Sequence, residues 1–417
     1  MIALLKNIFA QYRTILKNSF FLTVVHGVKL LLPFVAMPYI IRVCGVENYG
    51  KIILAQTVII YFVAFVNLGV AIVAPKEVAN NLHSLQKISK ITSALMMIRL
   101  AFAFIGIAFL FLIVCFVPQL QSIAMLLVFA YVTVFAEALS PHVIFQGIEK
   151  MQNITLINIC AVAFYIFPLF LFVKDASDYV WVPLFQSLAT LISVLVGIIF
   201  LQIKYHISMF MFSLNSTVDM IKKSSVFMVS WIAANLNTNI FRLLAGLALG
   251  VQELAVLDIA QKITETASIP ANIVEQAIFP FNARKKDKLI ARQMFWIMLI
   301  FSCACAGVVM LGTPFAVRFL GAGELNAAIP ITCYLSIKVV LAGLNSYLGI
   351  PLLVAFGYPE PYNRSIILSS ALMLLVCIML LFFNILSLSM LVVLIIVCEI
   401  VIFVARLYYC RKYINVP

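Results

Sequence analysis

Long apolar runs separated by short polar breaks organise the whole chain, at 18–41, 51–74, 93–117, 121–145, 154–173, 181–201, 224–249, 254–280, 293–317, 327–354, 365–384 and 386–405. Each run is close to or longer than the roughly 20 residues a helix needs to cross a bilayer. The pattern predicts an all-α polytopic membrane protein with about twelve transmembrane helices and no soluble domain. The external breaks are very short, the longest lying around Lys174–Asp178 and Gly321–Glu324. The longest connection runs from Gln202 to Lys223, at the midpoint, as a linker between two six-helix halves would.

Residue identities support that division. A shift of 205 positions carries Gly45-Val46 onto Gly250-Val251, Ala55-Gln56 onto Ala260-Gln261, Asn67 onto Asn272, Pro75 onto Pro280 and Lys17 onto Lys222. An apolar coincidence would not align Gln, Asn and Pro at one offset. The expectation is an N-terminal lobe, 1–205, and a C-terminal lobe, 206–417, related by an internal repeat. Both halves have an even number of spans, so they share one orientation.

Composition identifies the solvent. Hydrophobic residues make up 65% of the 417-residue chain and charged residues 10%, against roughly 25% charged in a soluble domain. Too few charges exist to cover a core, so lipid must face most of the surface. The net charge of +13 concentrates in Lys6, Arg13 and Lys17, in Lys204, Lys222 and Lys223, and in Arg284, Lys285, Lys286 and Lys288. These segments are cytoplasmic if the N-terminus is inside. The excess therefore reads as a positive-inside signal with both termini cytoplasmic, and not as a nucleic-acid surface. The first 17 residues lack the apolar core and cleavage site of a signal peptide; their helical apolar spacing predicts an interfacial helix. Nine cysteines show no metal or redox spacing and read as small apolar fillers. No cofactor is expected.

Ionisable groups at membrane depth are costly and need a partner, water or a purpose. On the eighth run Asp258, Gln261, Lys262, Glu265, Ser268, Asn272 and Glu275 recur every three or four residues, a polar stripe roughly 25 Å long. Asp258 and Lys262, and Lys262 and Glu265, are spaced to pair within the helix. The stripe is either a self-satisfied ion cluster or the wall of a wet cavity, and its length favours the cavity. On the seventh run Asn235, Asn239 and Arg242 share a face; the asparagines also suit plain interhelical bonding. Lys29 lies near mid-bilayer beside Thr23 and His26. Arg99 and Lys338 suit cavity lining or local pairing. Glu137 and Glu399 are isolated carboxylates that an apolar site would keep protonated. Prolines at 33, 141, 168, 270 and 351 are kinks or flexing points.

The segments PYIIRVCGVENYGKIILAQ (38–56), NLGVAIVAPKEVA (67–79) and IFQGIEKMQNITLINI (144–159) resemble bacterial polysaccharide-biosynthesis flippases. These are the Wzx-type O-antigen translocases of the multidrug/oligosaccharidyl-lipid/polysaccharide superfamily. The resemblance runs over the whole chain. It implies two six-helix lobes in a V around a polar cavity in the inner membrane, and movement of an undecaprenyl-diphosphate-linked oligosaccharide from the cytoplasmic to the periplasmic leaflet by alternating access. Lys29, Arg99, Asn235, Asn239, Arg242, Lys262 and Lys338 are the candidate substrate contacts: cations suit a diphosphate, and amides suit sugar hydroxyls. Asp258 and Glu265 are the candidate coupling groups, with a proton or sodium as the ion. Membrane lipids, a polysaccharide polymerase and a chain-length regulator are the implied partners; no nucleic acid is.

Two other readings stay open. A cation-coupled multidrug exporter of the same superfamily predicts an apolar, acidic cavity, against the basic residues named above. A membrane polymerase or ligase predicts sizeable external loops and a catalytic constellation, whereas His26, His83, His142 and His206 are scattered.

Overall fold

A computed structural model of the chain describes residues 2–67, 69–209, 211 and 213–415. Within its helices it leaves the side chains of 2–26, 28–31, 71–72, 226–238, 276–277, 280–281 and 283–285 undescribed. The described chain is helical: α1 Ile2–Asn67, α2 Val70–Asn80, α3 Leu85–Phe116, α4 Pro118–Gln121, α5 Ala124–Leu139, α6 His142–Gly147, α7 Met151–Phe172, α8 Trp181–Tyr205, α9 Leu214–Leu244, α10 Val251–Lys285, α11 Lys288–Leu320, α12 Ala328–Tyr347, α13 Pro359–Phe382 and α14 Leu388–Tyr413. Nine helical segments among the described residues are long and apolar enough to span a bilayer.

The outer faces of these helices are greasy. Leu311 is 87% exposed and Phe382 84%, an arrangement that water would not tolerate over so many helices and that lipid favours. This is a multi-pass membrane protein.

The first two expected spans meet without a loop. Residues 2–67 run as one helix broken only at Gly45, whose φ of 82° and ψ of 165° lie outside the helical region. Gly250, its partner in the 205-residue repeat, has φ 110° and ψ 167° and ends the π-helical turn Ala245–Leu249 after α9. Only glycine reaches this backbone region without steric cost. The two glycines thus share a backbone conformation as well as the 205-residue offset.

Two compact units make up the chain: residues 1–44 with 55–232, and residues 45–54 with 233–417. In the first, α5 and α7 pack on α8, and α2 packs on α6. Val78, Leu95, Ile144, Phe145 and Leu201 sit at its core. The fourth apolar run is broken at Ser140–Pro141 into α5 and α6. The connection after α8 is tied down: Ser208 N donates to Ser89 Oγ at 3.0 Å and Met211 N to Ser93 Oγ at 2.9 Å, while Ile207 and Met209 are buried in the same core.

In the second unit α12 is central, with α10, α11 and α14 against it. Its core includes Phe295, Met298, Leu344, Tyr347 and Leu352. The π-helical turn Leu348–Val354 carries Pro351 at the end of α12. Residues 45–54 belong here because Gly50 lets the backbones touch: a Cβ at Gly50 would lie 2.0 Å from the Val251 carbonyl oxygen.

Candidate functional site

The close approach of Gly50 to Val251 places Tyr49 over the first turns of α10. The π turn at Ala245–Leu249 brings the end of α9, and with it Arg242, to the same place. Four charges and one phenol converge there. Tyr49 donates its hydroxyl to Asp258 Oδ2 at 2.6 Å and accepts from Lys262 Nζ at 3.0 Å. Lys262 pairs with Asp258 at 2.7 Å, and Arg242 Nε lies 3.5 Å from Asp258 Oδ1. Arg242 Nη2 donates to both oxygens of Glu265, at 3.2 and 3.3 Å. Lys262 Nζ also lies 5.6 Å from the centre of the Tyr49 ring, within cation–π range.

Of the pairings the spacing allowed on α10, Asp258–Lys262 forms; Glu265 turns to Arg242 on α9. Burial grades the group. The Asp258 side chain is 2% exposed, Arg242 14%, Lys262 24% and Glu265 44%. A carboxylate so enclosed stays an anion only with cations and donors packed around it, and Asp258 has three such neighbours. The arrangement is an anchored carboxylate presenting two cations, which suits recognition of a polyanionic group.

The polar stripe does not continue as one surface. Beyond Ser268, Asn272 and Glu275 meet Ser346 of α12: the Ser346 hydroxyl contacts Glu275 and lies 3.3 Å from Asn272 Oδ1. Next to it, Asn345 Nδ2 donates to Glu399 Oε2 at 2.7 Å. Arg406 donates to the Asn345 carbonyl and, through Nε, to Ser365 Oγ at 3.1 Å, and stacks on Tyr362 at 4.6 Å. Glu399 therefore sits against an amide, not alone in an apolar site.

Arg99 departs most from its expected setting. It is fully buried in the first unit, donating to Asn67 Oδ1 at 2.6 Å and the Ser140 carbonyl at 3.3 Å. Asn67 Nδ2 in turn lies 3.4 Å from Glu137 Oε1, so the amide bridges guanidinium and carboxylate. The Ser140 carbonyl belongs to the α5–α6 break, where helical hydrogen bonding is interrupted and a donor is needed. Arg99 thus has no surface from which to line a cavity here. Asn239 is buried and Lys338 half-buried. The side chains of Lys29 and Asn235 lie outside the described residues.

Two members escaped the sequence reading. Tyr49 stood within a quoted segment, but a phenol near an expected loop carries no charge signal. Arg406 follows an apolar run directly and reads as a flanking cation. Among the described residues no group of three or more His, Cys, Asp or Glu is placed to hold a metal ion.

The sequence profile described as "Polysaccharide biosynthesis protein" matches residues 15–286. The chain belongs to this family. Within the family's wider relatives, the chain is 26% identical over 370 residues to a protein of Escherichia coli (strain K12) named "Putative O-antigen transporter", covering 86% of this chain and 88% of that one. A protein of the same name from Shigella dysenteriae is 24% identical over 341 residues, covering 78% and 84%. This polysaccharide biosynthesis protein also shares its fold with solved transporters. An inward-facing multidrug resistance MATE family transporter of the MOP superfamily superposes with a TM-score of 0.71 over 93% of this chain and 94% of the other, at 15% identity. A MOP superfamily transporter from Pyrococcus furiosus gives 0.62 over 96% and 95%, also at 15% identity. At such identity the likeness speaks for the fold alone.

Proposed function

We propose that this family member translocates an undecaprenyl-diphosphate-linked oligosaccharide, an O-antigen repeat unit, from the cytoplasmic to the periplasmic leaflet of the bacterial inner membrane. The carrying observation is the cluster of Arg242 and Lys262 around the buried Asp258. A diphosphate with its sugars cannot enter hydrocarbon unaided, and cations held at membrane depth are the groups that would receive it. The names of the two bacterial relatives point the same way. Lys29, Asn235, Asn239 and Lys338 complete the proposed contacts; Arg99 is reassigned to structure because its guanidinium is committed to Asn67 and to the Ser140 carbonyl at the α5–α6 break. Transport by alternating access requires a ligand or ion that meets two states unequally, and the charged face of α10 is where we place that difference. Both termini are cytoplasmic in this reading. A proton or sodium ion is the driving partner, and a polysaccharide polymerase and chain-length regulator act downstream.

Deletion in the native host tests the reading. Surface polysaccharide should disappear while the diphosphate-linked repeat unit accumulates on the cytoplasmic side, and both should reverse on re-expression. Unchanged surface glycan together with lost resistance to cationic drugs would favour a multidrug exporter instead.

A further inference from the structure

The two carboxylates of the cluster are held in opposite ways. Asp258 is enclosed, with Tyr49, Lys262 and Arg242 against it. Moving it would strand two cations and a phenol. Glu265 is 44% exposed and lies astride a single guanidinium nitrogen, with both of its oxygens within 3.3 Å of Arg242 Nη2. Releasing it uncovers one face of one cation, and water solvates the freed carboxylate at little cost. With both acids in place the two cations are formally cancelled. With Glu265 withdrawn the group carries one net positive charge, and the freed guanidinium edge is the one that faced Glu265.

We propose that Glu265 is a tethered stand-in for the anionic head of the cargo: it occupies Arg242 in the empty carrier and is displaced by a diphosphate. The inference rests on the cargo reading above. A carboxylate held by a guanidinium N–H makes the same kind of charge-assisted contact that a phosphate oxygen would make in its place. A diphosphate carries more charge than the carboxylate it replaces, and Lys262 stands beside Arg242 to share it, so Coulomb attraction favours the exchange. A singly charged or neutral lipid head gains less and must still compete with a carboxylate held at high effective concentration. Glu265 therefore raises the affinity an anion needs to occupy the site, and Asp258 is the positioning residue that keeps both cations in place. The stand-in also accounts for a site whose charges balance at rest although its cargo is strongly anionic.

The test is binding of undecaprenyl diphosphate and undecaprenyl phosphate to the purified full-length protein in detergent. Glu265→Gln keeps the size of the side chain and removes its charge. It should tighten binding of both lipids by a similar factor of about ten, the scale of one charge-assisted contact, because either head must displace the same carboxylate. Glu265→Asp, too short to reach Arg242 in the same way, should shift in the same direction by less. Adding Arg242→Gln to Glu265→Gln should erase the gain. Diphosphate binding that is unchanged or weaker in Glu265→Gln, while Arg242→Gln alone still weakens it, overturns the stand-in and leaves the cargo reading intact. No diphosphate binding by any of the proteins overturns both.

Discussion

Tyr49 and Asp258 are 209 positions apart and joined by a 2.6 Å hydrogen bond. The bond fixes residues 45–54 onto α10 and holds the buried carboxylate around which Lys262 and Arg242 gather. Tyr49→Phe removes the donor to Asp258 and the acceptor for Lys262 without changing ring packing. Leaving such a charge short of a partner costs about 1–3 kcal/mol. The melting temperature of the purified protein should fall accordingly, and surface polysaccharide should decrease while some protein persists.

Asp258→Asn tests whether the carboxylate is an anchor. It leaves Arg242 and Lys262 facing each other with Glu265 alone to balance them, at a cost of about 3 kcal/mol; both cations keep some exposure, which lowers the penalty of a fully buried broken pair. Adding Lys262→Gln removes the uncompensated charge and should restore much of the thermal stability. Transport should stay low in the double variant, because one of the two cations offered to the cargo is gone. Full transport in that double variant would make the pair purely structural.

Arg99 and Arg242 should separate under alanine substitution. Arg99→Ala removes the donors to Asn67 and to the Ser140 carbonyl at the α5–α6 break, leaving buried acceptors unmet and a cavity. Folded protein in membranes should drop sharply, as immunoblotting and size-exclusion profiles would show. Arg242→Ala should leave protein near wild-type amounts and abolish surface polysaccharide.

Gly45 and Gly250 give a test of the repeat. Alanine at either position must adopt a backbone conformation costing about 1–3 kcal/mol. Neither site has an atom within 4 Å of the added Cβ, so the loss reports backbone strain and not crowding. Similar drops in melting temperature are expected for the two single variants, with the two losses adding in the double.

Much of this was legible because lipid imposes simple rules. Apolar length fixes helices, and the fixed 205-residue offset carried Gly45 to Gly250 before their backbones were seen. Asp258, Lys262, Glu265 and Arg242 stood out because charge inside a predicted span is rare. Their pairing did not: spacing allowed Glu265 to meet Lys262, and only the fold of the α9–α10 turn brings Arg242 nearer. Arg99 carried the same charge signal as Arg242, yet one is sealed behind Asn67 and Ser140 and the other is half of a partly exposed pair. Burial of that kind depends on which helices pack together, which no local pattern states. Tyr49 was hidden for the same reason, since its role comes from the contact of Gly50 with Val251.

The most direct measurement is leaflet exchange in proteoliposomes. A fluorescent undecaprenyl-diphosphate-linked oligosaccharide is loaded in both leaflets, and an impermeant quencher is added outside. With the wild-type protein the quenched fraction should rise from about half toward completion, and with Arg242→Ala it should remain where protein-free vesicles leave it. Equal quenching with wild-type protein and empty vesicles, or equal rates for wild type and Arg242→Ala, would contradict the account.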